Sequence, residues 1–502
     1  MSGKQLECLS AVTAVLDLAN GLDSDKSVLT GLFALELAQE AGLGDDDLRD
    51  AFFVGLLRHL GCTAFAAVEA QVADDDLAWR GALARRLDPN VRGVAAALFR
   101  SAPSVLSAAK SAGRLALNTG RLKAEWAQEL CGAARVLSQQ LHFGPRVVEA
   151  LEQAFERWDG EGAPRGLKGD ALSLLGRVAQ AANVAVVFYL EGGAPLAREL
   201  LISRSGTVLD PKLAKAANGV AARFEQVAQS PERFTRVEAL VATAPLEASL
   251  HDIAVTFGDI ADLQSPFTRG HSRRVAALTD KAAGVLGLSA DERSQLALAA
   301  QLHDIGQVAL PATLWLRPRW SDADRKKGTG HTHFTEQVLS ASAWGEVGRI
   351  AAAHHERLDG LGTHKRLSAA GIPRAARLLA AADMACALLE DRPHRKAHAP
   401  SKAQALLAEA AKAGQLDGDC VAVVLEGLGA KRPAVTSAVA SLTEREVDVL
   451  RELAHGKTNK EIAAVLGISS RTVQHHTINL YAKLDVTTRA AAALVAARAG
   501  LV

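Results

Sequence analysis

Apolar and polar positions along most of the chain follow the period of amphipathic helices. Segments rich in Ala and Leu repeat their apolar positions every three to four residues, whereas strand-like alternation is rare. This pattern predicts an all-α protein. The stretch KRPAVTSAVAS at 431–441 interrupts the helices with a proline and small residues, and it predicts a linker before a new helix-capping signal.

Two parts of the chain repeat each other. The stretches AFERWDGEG (154–162) and HHERLDGLG (354–362) lie 200 residues apart. A second pair, GLGDDDLRDAFFVGLLRHLG (42–61) and GLSADERSQLALAAQLHDIG (287–306), overlays without a gap at an offset of 245. The repeats predict two copies of one helical module. We expect a first module at 1–240, a second module at 241–430, a linker at 431–441 and a C-terminal domain at 442–502.

Composition leaves most functional classes open but excludes some. The 502 residues are 49% hydrophobic with a formal net charge of +1, so a nucleic-acid or membrane-surface role would have to be local. The cysteines are scattered without a CxxC pair, which predicts buried reduced thiols and no disulfide framework. No stretch of about 18 apolar residues marks a membrane span, and the N-terminus has no long apolar core. We therefore expect a cytoplasmic protein.

The second module contains a set of metal-ligand residue types. The set has five imidazoles and two carboxylates: His271, His303, Asp304, His331, His354, His355 and Asp383. Adjacent residues on a helix point about 100° apart, so we expect the two doublets to serve two metal ions, with Asp304 bridging them. Any one of these residues alone could be an ordinary buried polar group, but the set together favours a metal site. His333 and His364 have no ligand position assigned to them.

The first module lacks this set. At the overlaid positions it has Arg58, His59, Ala154, Phe155 and Asn183, and Lys26 lies opposite His271. The sequence therefore predicts that the first module keeps the fold without the metals. In it, the shared DGxG turn would serve the fold alone.

The ligand types indicate the chemistry. Seven nitrogen and oxygen ligands leave open positions on a pair of six-coordinate ions, where water and a phosphate oxygen could bind, and this favours a hydrolase. Histidine-rich ligation suits iron, manganese or zinc better than magnesium. We expect two divalent ions, iron or manganese.

The second module resembles the HD-GYP phosphohydrolase domains. Their GH motif, HD doublet, later single His, HHExxDGxGYP motif and final Asp are matched in order by GHSRRVA, LHDIG, GHTHF, HHERLDGLG and AAADMA. The resemblance implies that the seven residues are ligands, that Asp304 and His303 are central to catalysis, and that the substrate is cyclic di-GMP or a related nucleotide phosphodiester. It also implies phosphate contacts from Arg392 and Arg395 in RPHRK.

Two positions depart from that family pattern. Gln307 stands where a lysine usually follows the HD doublet, at a position expected to contact substrate, and GYP reads Gly362, Thr363, His364. The departures favour an alternative in which the second module only binds a metal or nucleotide, as a sensor, without turnover. The complete ligand set favours the enzyme.

The C-terminal domain has the pattern of four short helices. Thr443 with Glu446 and Thr458 with Glu461 form two predicted capping boxes, and Ser469 or Ser470 caps a third helix. The apolar residues of the third helix, spaced as if facing a core, are Val473, Ile478, Leu480 and Leu484. The opposite face is basic and could meet phosphates and base edges.

This domain resembles the LuxR-type helix-turn-helix through TEREVDVL, TNKEIAAVLGIS, RTVQHH and KLDVTTR. The resemblance implies binding to double-stranded DNA, with candidate contacts from Asn459, Lys460, Arg471, Gln474, His475, Asn479 and Lys483. The alternative is a small protein-binding module with a solvated basic face. Together the features predict a transcriptional regulator, as a homodimer, whose DNA binding is controlled by a nucleotide second messenger at the second module.

Overall fold

A computed structural model describes most of the chain. The described residues are 3–22, 25–85, 91–102, 104–245, 247–340, 344–429, 439 and 441–502. Most of the predicted linker, at 431–438 and 440, lies outside them. Within the described ranges the fold is all-α and has no regular strand, as the helical periodicity predicts.

The chain divides into two compact units, Met1–Ser249 and Leu250–Val502. The first unit spans the first module. The second unit contains both the second module and the C-terminal domain, so these two parts contact each other within one compact unit.

The helices of the first unit run in the following order. They are α1 (Gly3–Val12), α2 (Ala14–Leu18), α3 (Lys26–Glu40), α4 (Asp45–Leu56), α5 (Ala66–Glu69), α6 (Asp76–Ala84), α7 (Val91–Ser101), α8 (Val105–Gln140), α9 (Pro145–Glu152), α10 (Leu174–Ser203), α11 (Pro211–Ala228) and α12 (Thr235–Thr243). Short 3₁₀ turns lie at Cys62–Phe65 and Gly169–Ala171. Helix α10 is kinked at Gly192 and Gly193, which have non-helical backbone angles.

The helices of the second unit continue this numbering. They are α13 (Leu250–Asp262), α14 (His271–Leu286), α15 (Ala290–Leu302), α16 (Ala312–Trp315), α17 (Asp322–Gly328), α18 (His331–Ser340), α19 (Gly345–Ala352), α20 (Arg374–Leu389), α21 (Pro400–Lys412), α22 (Gly418–Gly429), α23 (Glu444–Ala454), α24 (Asn459–Leu466), α25 (Ser470–Leu484) and α26 (Arg489–Arg498). Two 3₁₀ turns lie at Ile305–Ala309 and Ala369–Gly371.

The helix bounds reproduce the sequence repeat. Helices α3 and α4 begin 245 residues before α14 and α15, and α9 and α10 begin 200 residues before α19 and α20. In each copy an aspartate, Asp17 or Asp262, accepts hydrogen bonds from both the backbone and the hydroxyl of a serine, Ser27 or Ser272. The two modules are therefore built alike around the start of α3 and of α14.

Buried aromatic rings support the two cores. In the first unit Phe33 packs on Phe224 with ring centroids 4.8 Å apart, and both are almost fully buried. In the second unit Phe257 and Trp344 are buried. Burying one such ring contributes about 1.5–3 kcal/mol.

The capping signals of the C-terminal domain occur where the sequence predicts them. Thr443 and Thr458 form capping boxes with Glu446 and Glu461, and Ser469 accepts the N–H of Thr472. Helices α23 to α26 follow as the four predicted helices.

Candidate metal centre

The predicted ligands lie at helix ends, with one exception. His271 and His331 begin α14 and α18, whereas Asp383 lies inside α20. The sequence predicted that the two doublets lie on helices, and the structure shows that they do not. His303 and Asp304 follow the last residue of α15, and His354 and His355 lie in the turn after α19. The members of each doublet diverge because the chain turns there.

The helix ends also fix the orientation of three imidazoles. Nδ1 of His303 lies 2.9 Å from the carbonyl of Ala300, and Nδ1 of His354 lies 2.6 Å from that of Ala351. Nδ1 of His331 is likewise 2.6 Å from the carbonyl of Gly328. The last carbonyls of a helix lack partners within the helix, so they accept these ring N–H groups. Because Nδ1 of each ring is engaged by a carbonyl, Nε2 is the nitrogen directed toward the other predicted ligands, and it is the nitrogen that could bind a metal.

Asp304 lies between two groups of imidazoles. Its Oδ2 is 3.4 Å from Nε2 of His303 and 3.9 Å from Nε2 of His271. Its Oδ1 is 3.3 Å from Nε2 of His331 and 3.5 Å from Nε2 of His354. Each carboxylate oxygen thus faces a different pair of rings.

Asp383 occupies a second position between ligands. Its Oδ1 lies 3.0 Å from Nε2 of His271, and its Oδ2 lies 4.0 Å from Nδ1 of His355. The structure therefore brings all seven predicted ligand residues together. Among the described residues they form three overlapping triads whose ligand atoms lie within 4.8 Å of one another: His331/His354/His355, His271/His303/Asp304 and His303/His354/Asp383.

A buried, unsatisfied atom tests the fit to a cation. Nε2 of His303 is buried and has no hydrogen-bond partner. A buried polar atom without a partner costs about 1–3 kcal/mol, and coordination to a cation would satisfy it. The triads combine imidazole nitrogens with carboxylate oxygens, a donor set that suits transition-metal ions. The residues present therefore fit divalent metal ions.

The electrostatics keep the carboxylates ionised. Burial alone would raise the pKa of Asp304, but His303, His331 and His354 hold it well below its usual value. Burial likewise opposes ionisation of Asp383, yet His271 and its neighbours lower the pKa of that carboxyl group. Burial also lowers the pKa of His303 to about 4, which keeps this ring neutral. These are the protonation states that ligate a cation.

Glu390 belongs to the site and was missed by the sequence analysis. Its carboxylate lies 2.9 Å from Nδ1 of His271, and it also accepts hydrogen bonds from Arg274 and Arg392. Burial would lower the pKa of His271, but Glu390 and Asp383 raise it to about 10. Glu390 therefore orients a ligand imidazole from behind, in the way that carboxylates support metal-binding histidines. Its place in LLEDRPHR, seven residues after Asp383, was the available signal.

The predicted phosphate-binding arginines have different surroundings. Arg392 lies beside the site through its 2.9 Å bond to Glu390. Arg395 instead donates to the backbone carbonyls of Ala387, Leu388, Glu390 and Lys396, so its guanidinium holds the end of α20. Gln307 is half-buried in the 3₁₀ turn after Asp304. Arg392 is thus better placed than Arg395 to meet a phosphate.

The repeated DGxG phrase has the same structural role in both modules. Glu156 accepts the N–H groups of Arg165 and Leu167, and Glu356 accepts those of Lys365 and Leu367. A Cβ on Gly162 or on Gly362 would lie 2.4 Å from the backbone nitrogen of Arg157 or Arg357, five residues earlier, so only glycine fits. The phrase therefore builds a turn whether or not the ligands are present.

In the first module, basic side chains fill the place of the metal ligands. Nζ of Lys26 lies 2.7 Å from Nε2 of His59 and donates to Oδ1 of Asn183 at 2.6 Å. Arg58 donates to the carbonyl of Ala154 and to the side chain of Gln180. Burial lowers the pKa of Lys26 to about 8 and that of Arg58 to about 10. This cluster supplies its own cations.

The candidate DNA contacts lie mainly on the exposed surface of α24 and α25. Lys460, Arg471, Gln474 and His475 are exposed, while Asn459 and Asn479 are half-buried. Lys483 forms a 2.7 Å ion pair with the buried Glu446, so it also stabilises the domain. Val473 and Leu480 face the core as expected, but the expectation for Ile478 was wrong, because its side chain is 59% exposed. Ile478 shares the outer face of α25 with Gln474, one helical turn away.

Two further expectations concern the whole chain. All five cysteines, Cys8, Cys62, Cys131, Cys386 and Cys420, are free and buried, as predicted. Among the described residues, no helix has the length and apolar character needed to cross a membrane.

Comparison with known proteins identifies similar families and relatives. Residues 256–420 match the family described as HD domain, and residues 440–496 match the bacterial regulatory proteins of the luxR family. The chain is 30% identical over 444 residues to 3'3'-cGAMP-specific phosphodiesterase 3 of Vibrio cholerae. This alignment covers 84% of this chain and 94% of the relative. It is 35% identical over 165 residues to the cyclic di-GMP phosphodiesterase response regulator RpfG of Xanthomonas campestris, covering 32% of this chain and 43% of the relative.

A solved structure is similar over most of the chain. The crystal structure of a cyclic GMP-AMP specific phosphodiesterase from Vibrio cholerae aligns with a TM-score of 0.56 and 25% identity. The alignment covers 85% of this chain and 98% of the solved one.

Proposed function

The chain belongs to the HD-GYP phosphodiesterase family and carries a LuxR-type DNA-binding domain, and we propose that its second module hydrolyses a cyclic dinucleotide with two divalent metal ions. The observation that carries this proposal is the position of Asp304, with one carboxylate oxygen toward His303 and the other toward His331. A carboxylate so placed suits a bridge between two ions. We propose iron or manganese as the ions because of the five imidazoles.

The protein side chains hold and orient the reactants. His271, His303, His331, His354, His355, Asp304 and Asp383 would hold the ions, which supply Lewis acidity for phosphodiester hydrolysis. The backbone carbonyls behind three of the rings, and Glu390 behind His271, fix the imidazoles before any ligand arrives. Arg392 would bind a non-bridging phosphate oxygen, since a guanidinium matches phosphate geometry.

The substrate class follows from the relatives. The Vibrio relative is specific for 3'3'-cGAMP by its name, and the Xanthomonas relative acts on cyclic di-GMP by its name. We therefore propose 3'3'-cGAMP as the first substrate to test and cyclic di-GMP as the second. The C-terminal domain would bind an inverted repeat as a dimer. Nucleotide turnover and promoter binding would then be two activities of the same chain.

Two observations favour a second function, that of a non-catalytic sensor. Gln307 lacks the charge of the lysine usual in the family, and His364 is engaged by Glu336 at 2.9 Å. A site that holds the nucleotide without turning it over would signal only through the DNA-binding domain.

A turnover assay on the full chain distinguishes the two functions. Protein loaded anaerobically with manganese or ferrous iron should linearise 3'3'-cGAMP or cyclic di-GMP, and Asp304→Ala should lose the metals and the turnover together. His251→Ala is a matched control, because His251 is an exposed histidine of α13. Metal-replete protein that binds nucleotide yet leaves both substrates intact over hours would establish the sensor instead.

A further inference from the structure

The C-terminal domain contacts the second module at the turn just before His271. This docking turn, residues 265–270, is held by internal hydrogen bonds, in which Thr268 Oγ1 donates to the carbonyls of Asp262 and Ser265. Its Arg269 donates through Nη1 to the carbonyl of Ala454 at 3.1 Å and also reaches that of Leu453. These carbonyls end α23, where a helix has unsatisfied acceptors and a negative dipole end. An arginine is therefore a suitable partner for this helix end.

Close packing accompanies the arginine. A Cβ added to Gly270 would lie 3.3 Å from Cβ of Ala497 and 3.1 Å from the carbonyl of Val502. A Cβ on Gly456 would come within 2.5 Å of Cβ of Pro266. A side chain at Gly456 would clash with Pro266, and one at Gly270 would require its neighbours to move slightly, so the docking turn and the C-terminal domain are closely packed.

Helix α26 is covered on nearly every side. Its residues Ala490–Ala493 are each at most 1% exposed, and Leu494, Ala496 and Ala497 are also buried. A helix that is apolar all round needs cover on both faces. Helix α23 covers one face, and the docking turn contacts the end near Ala497.

A continuous set of contacts joins this interface to the metal centre. Arg274 donates from Nη1 to the carbonyl of Arg269 at 3.0 Å and from Nε to Glu390 at 2.8 Å. Glu390 in turn lies 2.9 Å from Nδ1 of His271, whose Nε2 faces the other ligands. The ligand His271 and the docking residue Arg269 are also separated by a single residue of the chain.

We propose that the docking turn is the surface through which the metal centre controls the DNA-binding domain. A metal ion held by His271 would strengthen the existing contacts that run through Glu390 and Arg274, and these contacts hold Arg269 against the end of α23. Because coupling between two binding events is reciprocal, a bound metal favours the docked domain and docking favours the metal. The inference rests on the proposed function, since it assigns a regulation to the same site.

Docking leaves the recognition surface accessible. Arg471, Gln474 and His475 on α25 are exposed in the docked arrangement. The contacts cover the end of α23 and α26 instead. Metal occupancy therefore determines how the recognition helix is oriented on the second module and does not cover it.

Hydrogen–deuterium exchange on the full chain tests the coupling. In wild-type protein, manganese loading should slow amide exchange in peptides from 489–502 by about fivefold or more relative to chelator-stripped protein. Arg269→Ala should exchange rapidly in both states, and Arg269→Lys should recover part of the protection. Arg293→Ala is the control, because Arg293 is a half-exposed arginine of α15 whose nearest carboxylate partner, Asp280, is 3.8 Å away.

A second variant tests the connection between Glu390 and His271 separately from the contact of Arg269 with the end of α23. Glu390→Gln keeps Arg269 but breaks the charged connection to His271, so manganese should no longer change the exchange of 489–502. Equal exchange in loaded and stripped wild-type protein, or wild-type behaviour of both Arg269→Ala and Glu390→Gln, would overturn the coupling. If elemental analysis shows bound manganese and turnover persists, that result leaves the proposed function standing. A chain that binds neither manganese nor ferrous iron overturns both.

Discussion

Nζ of Lys26 lies 2.7 Å from Nε2 of His59, the residue that stands in the first module where the second has Asp304. The amino group of Lys26 thus lies in one copy at the place where the other copy has carboxylates and imidazoles. The two modules therefore fill the same buried position with different polar groups. By our proposal the second module binds its cations from solution, whereas the first has the amino group of Lys26 at the corresponding place.

We predict that Lys26 is required for the stability of the first module and has no role in metal binding. Lys26→Met removes the donor to Asn183 and the charge opposite buried Asp17, so the free energy of unfolding should fall by about 2–4 kcal/mol. Urea denaturation of the full chain measures this, with exposed Lys4→Met as the control. The metal content by elemental analysis should stay at the wild-type value. A variant that is as stable as wild type, or that gains metal, contradicts this assignment.

We predict that Arg392 contributes to substrate binding without coordinating metal. Arg392→Ala should raise KM about tenfold, as expected for the loss of one charge-assisted hydrogen bond, while the metal stoichiometry is unchanged. Lys396→Ala is the matched control, because this neighbouring cation is 85% exposed and pairs with Asp391. Loss of metal in Arg392→Ala would instead mean that the arginine acts mainly by holding Glu390.

We predict that Gln307→Lys raises turnover. The substitution restores, in the half-buried turn after Asp304, the positive charge that the family usually places there. A cation at this position would stabilise the negative charge that develops on the phosphate in the transition state. Single-turnover kinetics with 3'3'-cGAMP, at equal metal content, compare the variant with wild type. An unchanged or lower rate would show that this position does not limit hydrolysis.

We predict that two kinds of residue on α25 affect DNA binding differently. Arg471→Ala should weaken binding to all sequences and reduce the salt dependence by about one phosphate contact. Changes at Gln474 or at the exposed Ile478 should alter sequence preference, since an apolar side chain in the major groove can contact a thymine methyl group. Fluorescence anisotropy over a salt series, with a panel of inverted repeats, separates the two effects. Salt-independent binding by wild-type protein would argue against a DNA interface.

We predict a pH dependence from Asp262. Burial raises the pKa of this carboxyl group to about 7, from 3.8, so the native state holds its proton more tightly than the unfolded state does. The stability from this group is therefore complete below pH of about 4 and is lost as the pH rises through about 7. Asp262→Asn should gain stability relative to wild type across this interval, measured by urea denaturation of chelator-treated protein. A constant difference between the two proteins from pH 4 to 7.5 would refute it.

The sequence alone determined the all-α class and the repeat, and it predicted the ligand set. Helical periodicity and capping boxes are local patterns. The capping box of Thr443 and Glu446 could therefore be recognised from their separation of three residues. The ligands were recognisable because His303 with Asp304, and His354 with His355, are adjacent in the chain and missing from the other copy. Residue types at matched positions also predicted that the first module lacks the metal site.

Only the tertiary structure decided how these residues are held. Glu390 meets His271 across 119 positions of the chain, and Lys26 meets Asn183 across 157, distances over which no periodicity carries information. The same holds for Lys483, which pairs with Glu446, and for Ile478, which points outward although its spacing suggested a core position. The contact of Arg269 with the end of α23 joins two parts of the chain that the sequence treats as separate domains. Such contacts depend on how the helices pack against one another. Each local sequence is compatible with many neighbouring side chains, so the sequence alone does not indicate which of them it meets.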